Sequence, residues 1–474
     1  MSVVSAGSRS RVALAAPGRA FDLAVVGALA LVLRVAWVLV YGRASPPKGA
    51  INDTTFYQFA AASLASGHGY IGPQFAPTAG WPPGFPFLVS LLYRVFGIHL
   101  QLALALNVVL ATATVVLLYL VAERIFGRTG ARFAAGLFAI LPGPLFFTGL
   151  WMSETTFTFI LVAFLALVVF LPDRRWTPVV LGVALGLAAL TRGEGMLMPI
   201  IPLAVWWGHH PGRAWLRRAG VLLAAMALTV APWTIRNAIV MDAFIPVANN
   251  ASWTLWSGHN SRATGGPVLV GAPTPRGKSA DPSKAETEGA AELRRQAVRW
   301  AISHPVGELR LIPRKLLSLN AGSSGSIKGW LNAGPPRQRE LGPSSVLVFS
   351  VLGDAFGYFL LLATLASLVL IGARSLWRSY PAMQGVLAYL ALCLVNYGFV
   401  YYGQFRYRIP MEPFMILVAT PLMTALWAWR RGLAADFAGA HASKRPRERR
   451  RAGVRAGVAA QPPGLRAGRQ GPPG

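Results

Sequence analysis

The chain has a single cysteine, Cys393. One thiol can neither close an intrachain disulfide nor build a cysteine-ligated metal site. Acidic residues are scarce too: 17 Asp and Glu stand against 45 Lys and Arg in 474 residues. Charged side chains make up 13% of the sequence and hydrophobic ones 54%, a balance that excludes an ordinary soluble globule. No internal repeat is visible, which argues against a transporter assembled from duplicated halves. The net charge of +28 suggests a polyanion. Much of that excess, however, lies at loop ends and in the tail, where anionic lipid headgroups account for it. Membrane lipids, and no nucleic acid, are the expected partners.

What is abundant is apolar sequence in runs near the length needed to cross a bilayer core. Ten candidate spans follow from Phe21 to Tyr41, Leu100 to Ala122, Phe133 to Leu150, Thr155 to Leu171, Val179 to Leu190, Met196 to Trp207, Ala219 to Ile235, Val346 to Ile371, Gln384 to Tyr402 and Pro410 to Trp429. The first run is long and lacks a small-residue cleavage pattern, so it is read as a retained span. The expected fold class is an all-α polytopic membrane protein with roughly ten transmembrane helices. Arg9, Arg11 and Arg19, Arg124 to Arg132, Arg174 and Arg175, Arg213 to Arg218, and Arg374 and Arg378 all fall on one side when the spans alternate. The positive-inside rule makes that side cytoplasmic.

The expected organisation is then a basic cytoplasmic N-terminus over 1–20 and a transmembrane module over 21–235 that includes an outer loop at 42–97. An extracytoplasmic domain follows over 236–345, C-terminal spans over 346–429, and a basic tail over 430–474 whose composition reads as disordered. The first outer loop opens a helix at Asn52, Asp53 and Thr54, with Phe56, Phe59, Ala60 and Leu64 at helical spacing, as for an interfacial amphipathic helix. The segment from Phe85 to Phe96 reads as a second surface or re-entrant helix. The larger loop carries a helix over Ala285 to Ser303.

The few acids at the outer face are therefore informative, because ionisable groups at membrane depth are costly and persist where chemistry uses them. A sugar leaving a lipid phosphate needs one carboxylate to take the proton of an acceptor hydroxyl. It also needs cations beside the departing phosphate. Asp53 is the candidate base, with an N-cap role as the alternative; the aromatic pair Phe56 and Tyr57 follows it, and Tyr57 is a candidate substrate contact. Glu154, at the start of the fourth span, would orient the acceptor, ligate a divalent ion or position the base; an acid favoured at a helix N-terminus is the alternative. Arg192, Arg236, Arg406 and Arg408 lie at span ends on the outer face, where short-loop arginines are disfavoured. Planar guanidinium groups pair bidentately with phosphate, although snorkelling to headgroups explains each singly. His259 and Asn260, in Ser252–Asn260 with Trp253 and Trp256, suit sugar binding or an ordinary packed turn. No cofactor is required beyond a lipid-linked sugar as co-substrate; a divalent cation remains open.

These stretches, in this order, resemble the integral-membrane GT-C glycosyltransferases of the family 39 type, which include protein O-mannosyltransferases, aminoarabinose transferases of lipid A and galacturonosyltransferases. The matching segments are Asn52–Tyr57 through Leu64–Gly67, Pro77–Pro86, Ser153–Phe157, Leu190–Gly195, Pro232–Asn237, Gly258–Asn260 and Arg406–Pro413. The resemblance implies a GT-C fold in a bacterial plasma membrane and an inverting transferase that uses a polyprenyl-phosphate-linked sugar at the extracytoplasmic face, with a lipid, glycan or protein acceptor. It places the catalytic acid at Asp53, a supporting carboxylate at Glu154, and phosphate contacts at Arg192 and Arg236. The chain departs from the family pattern at Thr54, where many members have Glu, and at Trp81, where some have Lys. The alternative function class is a transporter or flippase of lipid-linked sugars; a non-catalytic envelope scaffold is a third.

Overall fold

A computed structural model describes residues 17–42, 53–210, 212–268, 277–322 and 343–430. Arg9, Arg11, Asn52 and the tail from residue 431 lie outside them. The chain divides into two compact units, 1–424 and 425–474; the site lies in the first. Among the described residues the structure is helical, with one isolated antiparallel bridge between Ile71 and Pro77 and no strand.

Each of the ten apolar runs is helical. Among the described residues six helices are long and apolar enough to cross a membrane: Gly18–Tyr41, Gln101–Ile140, Gly212–Met241, Leu347–Arg378, Pro381–Val400 and Phe405–Arg430. Three shorter apolar ones are Gly84–Phe96, Glu154–Phe170 and Thr177–Thr191. The protein is a multi-pass membrane protein. In chain order the helices are α1 (Pro17–Tyr41), α2 (Asp53–Ala65), α3 (Gly84–Phe96), α4 (Gln101–Ile140), α5 (Pro142–Thr148), α6 (Glu154–Phe170), α7 (Thr177–Thr191), α8 (Ile200–Trp207) and α9 (Gly212–Met241). The outer region adds α10 (Asn250–Gly258), α11 (Pro282–Ser303) and α12 (Pro305–Asn320). The C-terminal part has α13 (Pro343–Ser367), α14 (Ala373–Ser379), α15 (Pro381–Val395), α16 (Phe405–Arg408) and α17 (Glu412–Arg430).

Two apolar runs differ in detail from the simple span expected. The run from Phe133 to Leu150 is the far half of α4 followed by α5. Gly127, at φ 78°, breaks α4 in a conformation open to glycine, and Pro142 restarts the helix as α5. The run from Met196 to Trp207 is a 3-10 turn over Gly193–Leu197 and then α8, which begins after Pro199.

Apolar attraction does not drive helices together in lipid, so close backbone packing has to. The α7–α9 contact shows how. Gly182 and Gly186 sit one turn apart on α7, and a methyl group on either would overlap Leu222 and Ala225 or Thr229 of α9. This contact fixes the end of α7 that leads into Arg192. The main core around it joins Leu118, Tyr119, Phe138, Phe157, Phe164 and Leu185. A second core beneath α2 and α3 joins Phe56, Tyr57, Tyr70, Phe85 and Trp151.

The two ends of the bundle differ in charge. At the start of α1, Asp22 accepts hydrogen bonds from Tyr119, Arg128 and Arg132, and Arg19 pairs with Glu123. At about 1.5 Å per residue, α1 carries the chain about 30 Å from Asp22 to Tyr41, before the segment that leads to Asp53. At that end α11 begins under Asp281, which accepts from the Ser283 amide at 2.9 Å, with Pro282 in the first turn. Glu286 of α11 accepts from Thr78 Oγ1 at 2.5 Å, the Ala79 amide at 3.1 Å and Asn249 Nδ2 at 3.3 Å. One carboxylate thus ties the outer region to the first outer loop.

Candidate active site

Asp53 is the first residue of α2, and both of its carboxylate oxygens accept bonds from outside that helix. Trp81 Nε1 donates to Oδ1 at 3.1 Å, and Arg406 Nη1 to Oδ2 at 2.7 Å. Trp81 is held in turn by its ring, 4.2 Å from that of Phe56, and by its carbonyl, which accepts from the Tyr70 hydroxyl at 2.9 Å. Residues 53 and 81 lie on separate arms of the first outer loop, and residue 406 opens the last membrane segment. Three distant pieces of sequence therefore meet on one carboxylate.

Glu154, the first residue of α6, is fully buried. Arg192 Nη1 lies 2.9 Å from its Oε1, and Arg406 Nε lies 3.9 Å from the same oxygen. These are charge contacts without hydrogen-bond alignment: among the described residues neither Glu154 oxygen receives a hydrogen bond, and Arg406 Nε finds no acceptor. Arg192 instead directs its hydrogen bonds to Ser153 Oγ at 3.1 Å and to both oxygens of Glu194, at 3.2 and 2.8 Å. Tyr57 closes the same corner, its hydroxyl 3.3 Å from Ser153 Oγ. Tyr397 donates to Glu194 at 3.1 Å.

The result is a chain of alternating charge, Asp53–Arg406–Glu154–Arg192–Glu194. Burial works to raise the pKa of Asp53, but the charge and hydrogen bond of Arg406, with help from Trp81, outweigh it and hold the carboxyl below its ordinary range. Glu194 behaves likewise: burial pushes up and Arg192 pulls down, with a net lowering. Arg192 itself is raised despite burial, because Glu194 and Glu154 flank it. Burial pushes the Tyr57 phenol up, and the Asp53 charge adds to this, so it stays a hydroxyl.

The residues expected from sequence divide clearly. Asp53, Tyr57, Glu154, Arg192 and Arg406 come together. Arg236 stands one layer behind, donating to the carbonyls of Thr78 at 2.7 Å and Tyr70 at 3.0 Å, with its guanidinium 5.0 Å from the Trp233 ring. It braces the loop that carries Trp81. Arg408 is buried against Glu412 at 3.3 Å and donates to the Asn320 carbonyl at 3.2 Å, so neither group faces Asp53. His259 and Asn260 form a packed helix end. Asn260 donates to the Trp256 carbonyl at 2.7 Å and accepts from the Arg262 amide at 2.8 Å; His259 has partners at both ring nitrogens. Sequence reasoning missed Ser153, Glu194 and Tyr397. Glu194 had a signal, being two residues from Arg192 in a short turn; Tyr397 is one tyrosine among several in its span and had none.

The donor set does not suit a divalent cation. Arg406 stands between Asp53 and Glu154, and Arg192 between Glu154 and Glu194. Among the described residues no three His, Cys, Asp or Glu side chains converge as ligands.

Residues 81–235, about a third of the chain, match the family described as dolichyl-phosphate-mannose-protein mannosyltransferase. The match includes Trp81, Glu154 and Arg192 and leaves Asp53 and Arg406 outside. No curated protein matches the sequence. Among solved structures, the oligosaccharyltransferase of Archaeoglobus fulgidus, in complex with Zn and sulfate, is 17% identical at a TM-score of 0.50, covering 90% of this chain and 52% of its own. This chain thus spans about half the length of that relative. ArnT from Cupriavidus metallidurans bound to undecaprenyl phosphate is 17% identical at a TM-score of 0.39, covering 87% of this chain and 80% of its own. The chain therefore has the GT-C architecture, and over residues 81–235 it carries the sequence pattern of the dolichyl-phosphate-mannose-protein mannosyltransferase family.

Proposed function

We propose that the protein is an inverting glycosyltransferase. It moves a sugar from a polyprenyl-phosphate donor to an acceptor hydroxyl at the extracytoplasmic face of a bacterial plasma membrane. The observation that carries this reading is the convergence of Asp53, Glu154, Arg192 and Arg406, drawn from four separate membrane-end segments. The family match over 81–235, whose members are described by a lipid-phosphate sugar donor, supports it. The basic residues gathered around Asp22, at the other end of α1, support an outward-facing site.

In this mechanism a carboxylate oxygen of Asp53 takes the acceptor hydroxyl proton as the hydroxyl oxygen bonds to the anomeric carbon. The bond from that carbon to the phosphate oxygen breaks on the opposite face. Its electron pair leaves with the polyprenyl phosphate, and the anomeric configuration inverts. The phosphate gains a negative charge as it departs, which a guanidinium is suited to meet. Arg406 is the suited group, because it already bridges Asp53 and Glu154 and has an Nε–H without an acceptor. As Arg406 turns toward the phosphate it releases Asp53, whose pKa then rises and makes it a better base. Glu154 presents two acceptor oxygens without a hydrogen bond among the described residues to sugar or acceptor hydroxyls, and Arg192 lies 2.9 Å from one of them.

The test is transfer by the purified protein in lipid nanodiscs, supplied with radiolabelled polyprenyl-phosphate sugars and membrane extracts as acceptor. Transfer that Asp53→Asn abolishes is the expected result. Transfer unaffected by Asp53→Asn, or movement of lipid-linked sugar across vesicles with no transfer to any acceptor, would sink the reading.

A further inference from the structure

Arg406 reaches Asp53 at the end of a short strap, residues 400–404, that joins the π-turn Asn396–Val400 to α16. Both ends of the strap carry site contacts: Tyr397 donates to Glu194, and Arg406 donates to Asp53. Between those ends, no hydrogen bond or ion pair joins the strap to those acids among the described residues. It is gripped from the other side by the outer region.

Three contacts make the grip. The Val400 carbonyl lies 2.8 Å from His259 Nε2. The Gly403 amide donates to the Gly265 carbonyl at 2.9 Å. Gly403 also lies so close to α12 that a methyl group there would overlap the Lys315 carbonyl oxygen. Residue 403 must be glycine for the strap to sit at this depth.

Behind these contacts is a buried polar triangle. His259 Nδ1 is 2.6 Å from Glu308 Oε1; Lys315 Nζ is 3.6 Å from Glu308 Oε2 and 3.3 Å from His259 Nε2. Each imidazole nitrogen has an oxygen at hydrogen-bond distance, Glu308 at Nδ1 and the Val400 carbonyl at Nε2. Glu308 reaches both the ring and Lys315, so one carboxylate joins the three side chains. The Lys315 side chain is fully buried, and burial draws its pKa down against the pull of Glu308. Glu308, Leu311, Lys315 and Leu319 share one face of α12 by their spacing of three and four residues, and the last three are buried. A helix that turns a lysine and a glutamate inward while exposing Val306, Leu309 and Leu317 is not arranged for core packing alone. Buried polar groups of this kind are costly unless mutually satisfied.

We propose that His259, Glu308 and Lys315 are positioning residues for the transfer reaction: by gripping residues 400–403 they set Arg406 against Asp53 and Glu154. The outer region is then part of the catalytic machinery and not only a platform for the acceptor. This inference rests on the proposed function for its consequence, though the grip can be tested without it.

The test uses the full chain in nanodiscs, with Lys315→Met and His259→Gln as independent variants so that a folding failure in one leaves the other to read. Hydrogen–deuterium exchange is followed over 396–408, with the α6 segment 158–170 as an internal control. Faster exchange over 396–408 with α6 unchanged is expected; unchanged exchange over 396–408 overturns the grip. Turnover is then measured in a double-mutant cycle with Arg406→Ala. Each positioning variant should lower kcat about tenfold alone and have little further effect when Arg406 is already gone, the non-additivity expected of residues acting through one another. Losses that add fully to that of Arg406→Ala would mean that the triangle acts on general stability and would refute the positioning role. If the wild-type protein transfers no sugar, the proposed function has failed, and the exchange result alone decides whether the grip exists.

Discussion

Replacing Arg406 by methionine removes the charge that opposes burial at Asp53 while roughly keeping the length of the side chain. The two side chains are each 23% exposed and meet at 2.7 Å. In the native protein the Arg406 contact outweighs the effect of burial on Asp53. Without it, burial favours the protonated form and is opposed only by the Trp81 hydrogen bond and the Arg192 charge. A lost charge partner at this range shifts a carboxyl by about 1–3 units, upward for Asp53. At 1.36 kcal/mol per unit, the variant should lose about 1–4 kcal/mol of stability at neutral pH through this linkage.

The sign gives the assay its force. In the wild-type protein the folded pKa lies below the unfolded one, so the contribution of Asp53 is complete above about pH 4 and disappears as pH falls through the folded value. In Arg406→Met the folded pKa is higher than in the wild type, so the variant lacks part of that contribution at pH 7, and the difference disappears as pH falls through the wild-type value and both carboxyls are protonated. The gap between the two thermal unfolding midpoints in nanodiscs should therefore be widest near neutrality and narrow on acidification. Turnover should fall about 10²–10³-fold, the usual cost of losing one preorganised donor to a developing anion. The acidic limb of the kcat/KM profile should move upward. A midpoint gap that does not change with pH, in a variant that transfers sugar within threefold of wild type, would refute the role given to Arg406.

Three further outcomes follow from the same contacts. Glu154→Gln keeps the shape but removes the charge that Arg192 and Arg406 share, and should lower transfer about 10²-fold with little loss of fold, read as kcat in nanodiscs. Arg236→Ala breaks bonds to two loop carbonyls, at about 1 kcal/mol each, and should lower the unfolding midpoint without moving the acidic limb of the pH profile. Gly186→Leu forces α7 from α9 and should cost about 1–3 kcal/mol as overpacking; it should lower both the unfolding midpoint and transfer, because the end of α7 leads into Arg192.

Hydropathy alone located all ten helical stretches, because a bilayer core rewards continuous apolar length whatever the packing. Its breaks fall near Gly127, between the second and third runs, and near the turn after Arg192, between the fifth and sixth; it did not show that Gly127 kinks one continuous helix or that Pro142 divides the third run. The Gly182–Gly186 contact was not read from the sequence; the structure names Leu222 and Thr229 as its partners. Asp53 and Glu154 were legible because carboxylates are rare in this chain and costly at membrane depth, whereas Glu194 was not picked out. The arginines were only half legible. Arg192, Arg236, Arg406 and Arg408 look alike as span-end cations, and what separates them is the acceptor each meets: a carboxylate of the site for Arg192 and Arg406, loop carbonyls for Arg236, and Glu412 for Arg408. That assignment is three-dimensional, and residue type and spacing do not carry it. His259 misleads for the same reason, since a histidine beside tryptophans suits a sugar equally well until Glu308 and Val400 are found at its two nitrogens.

The balance of the site explains why these charges sit together without cancelling into an inert lattice. Asp53, Glu154 and Glu194 are three carboxylates against the two guanidiniums of Arg192 and Arg406, and their bonding is uneven. Glu194 and Asp53 are well served with donors, whereas both oxygens of Glu154 and Nε of Arg406 have none. Buried groups left in that condition cost about 1–3 kcal/mol each, a cost that a purely structural network would be expected to relax. A glycosyl phosphate is complementary to this set, for its hydroxyls donate and its phosphate oxygens accept. On the proposed reaction, Arg406 is then the element that moves: bound to Asp53 it keeps the base weak, and drawn to the phosphate it frees the base when a donor is in place. Coupling of this kind would suppress proton abstraction before the lipid-linked sugar arrives, and it makes Arg406, more than Asp53, the residue on which the timing of the reaction turns.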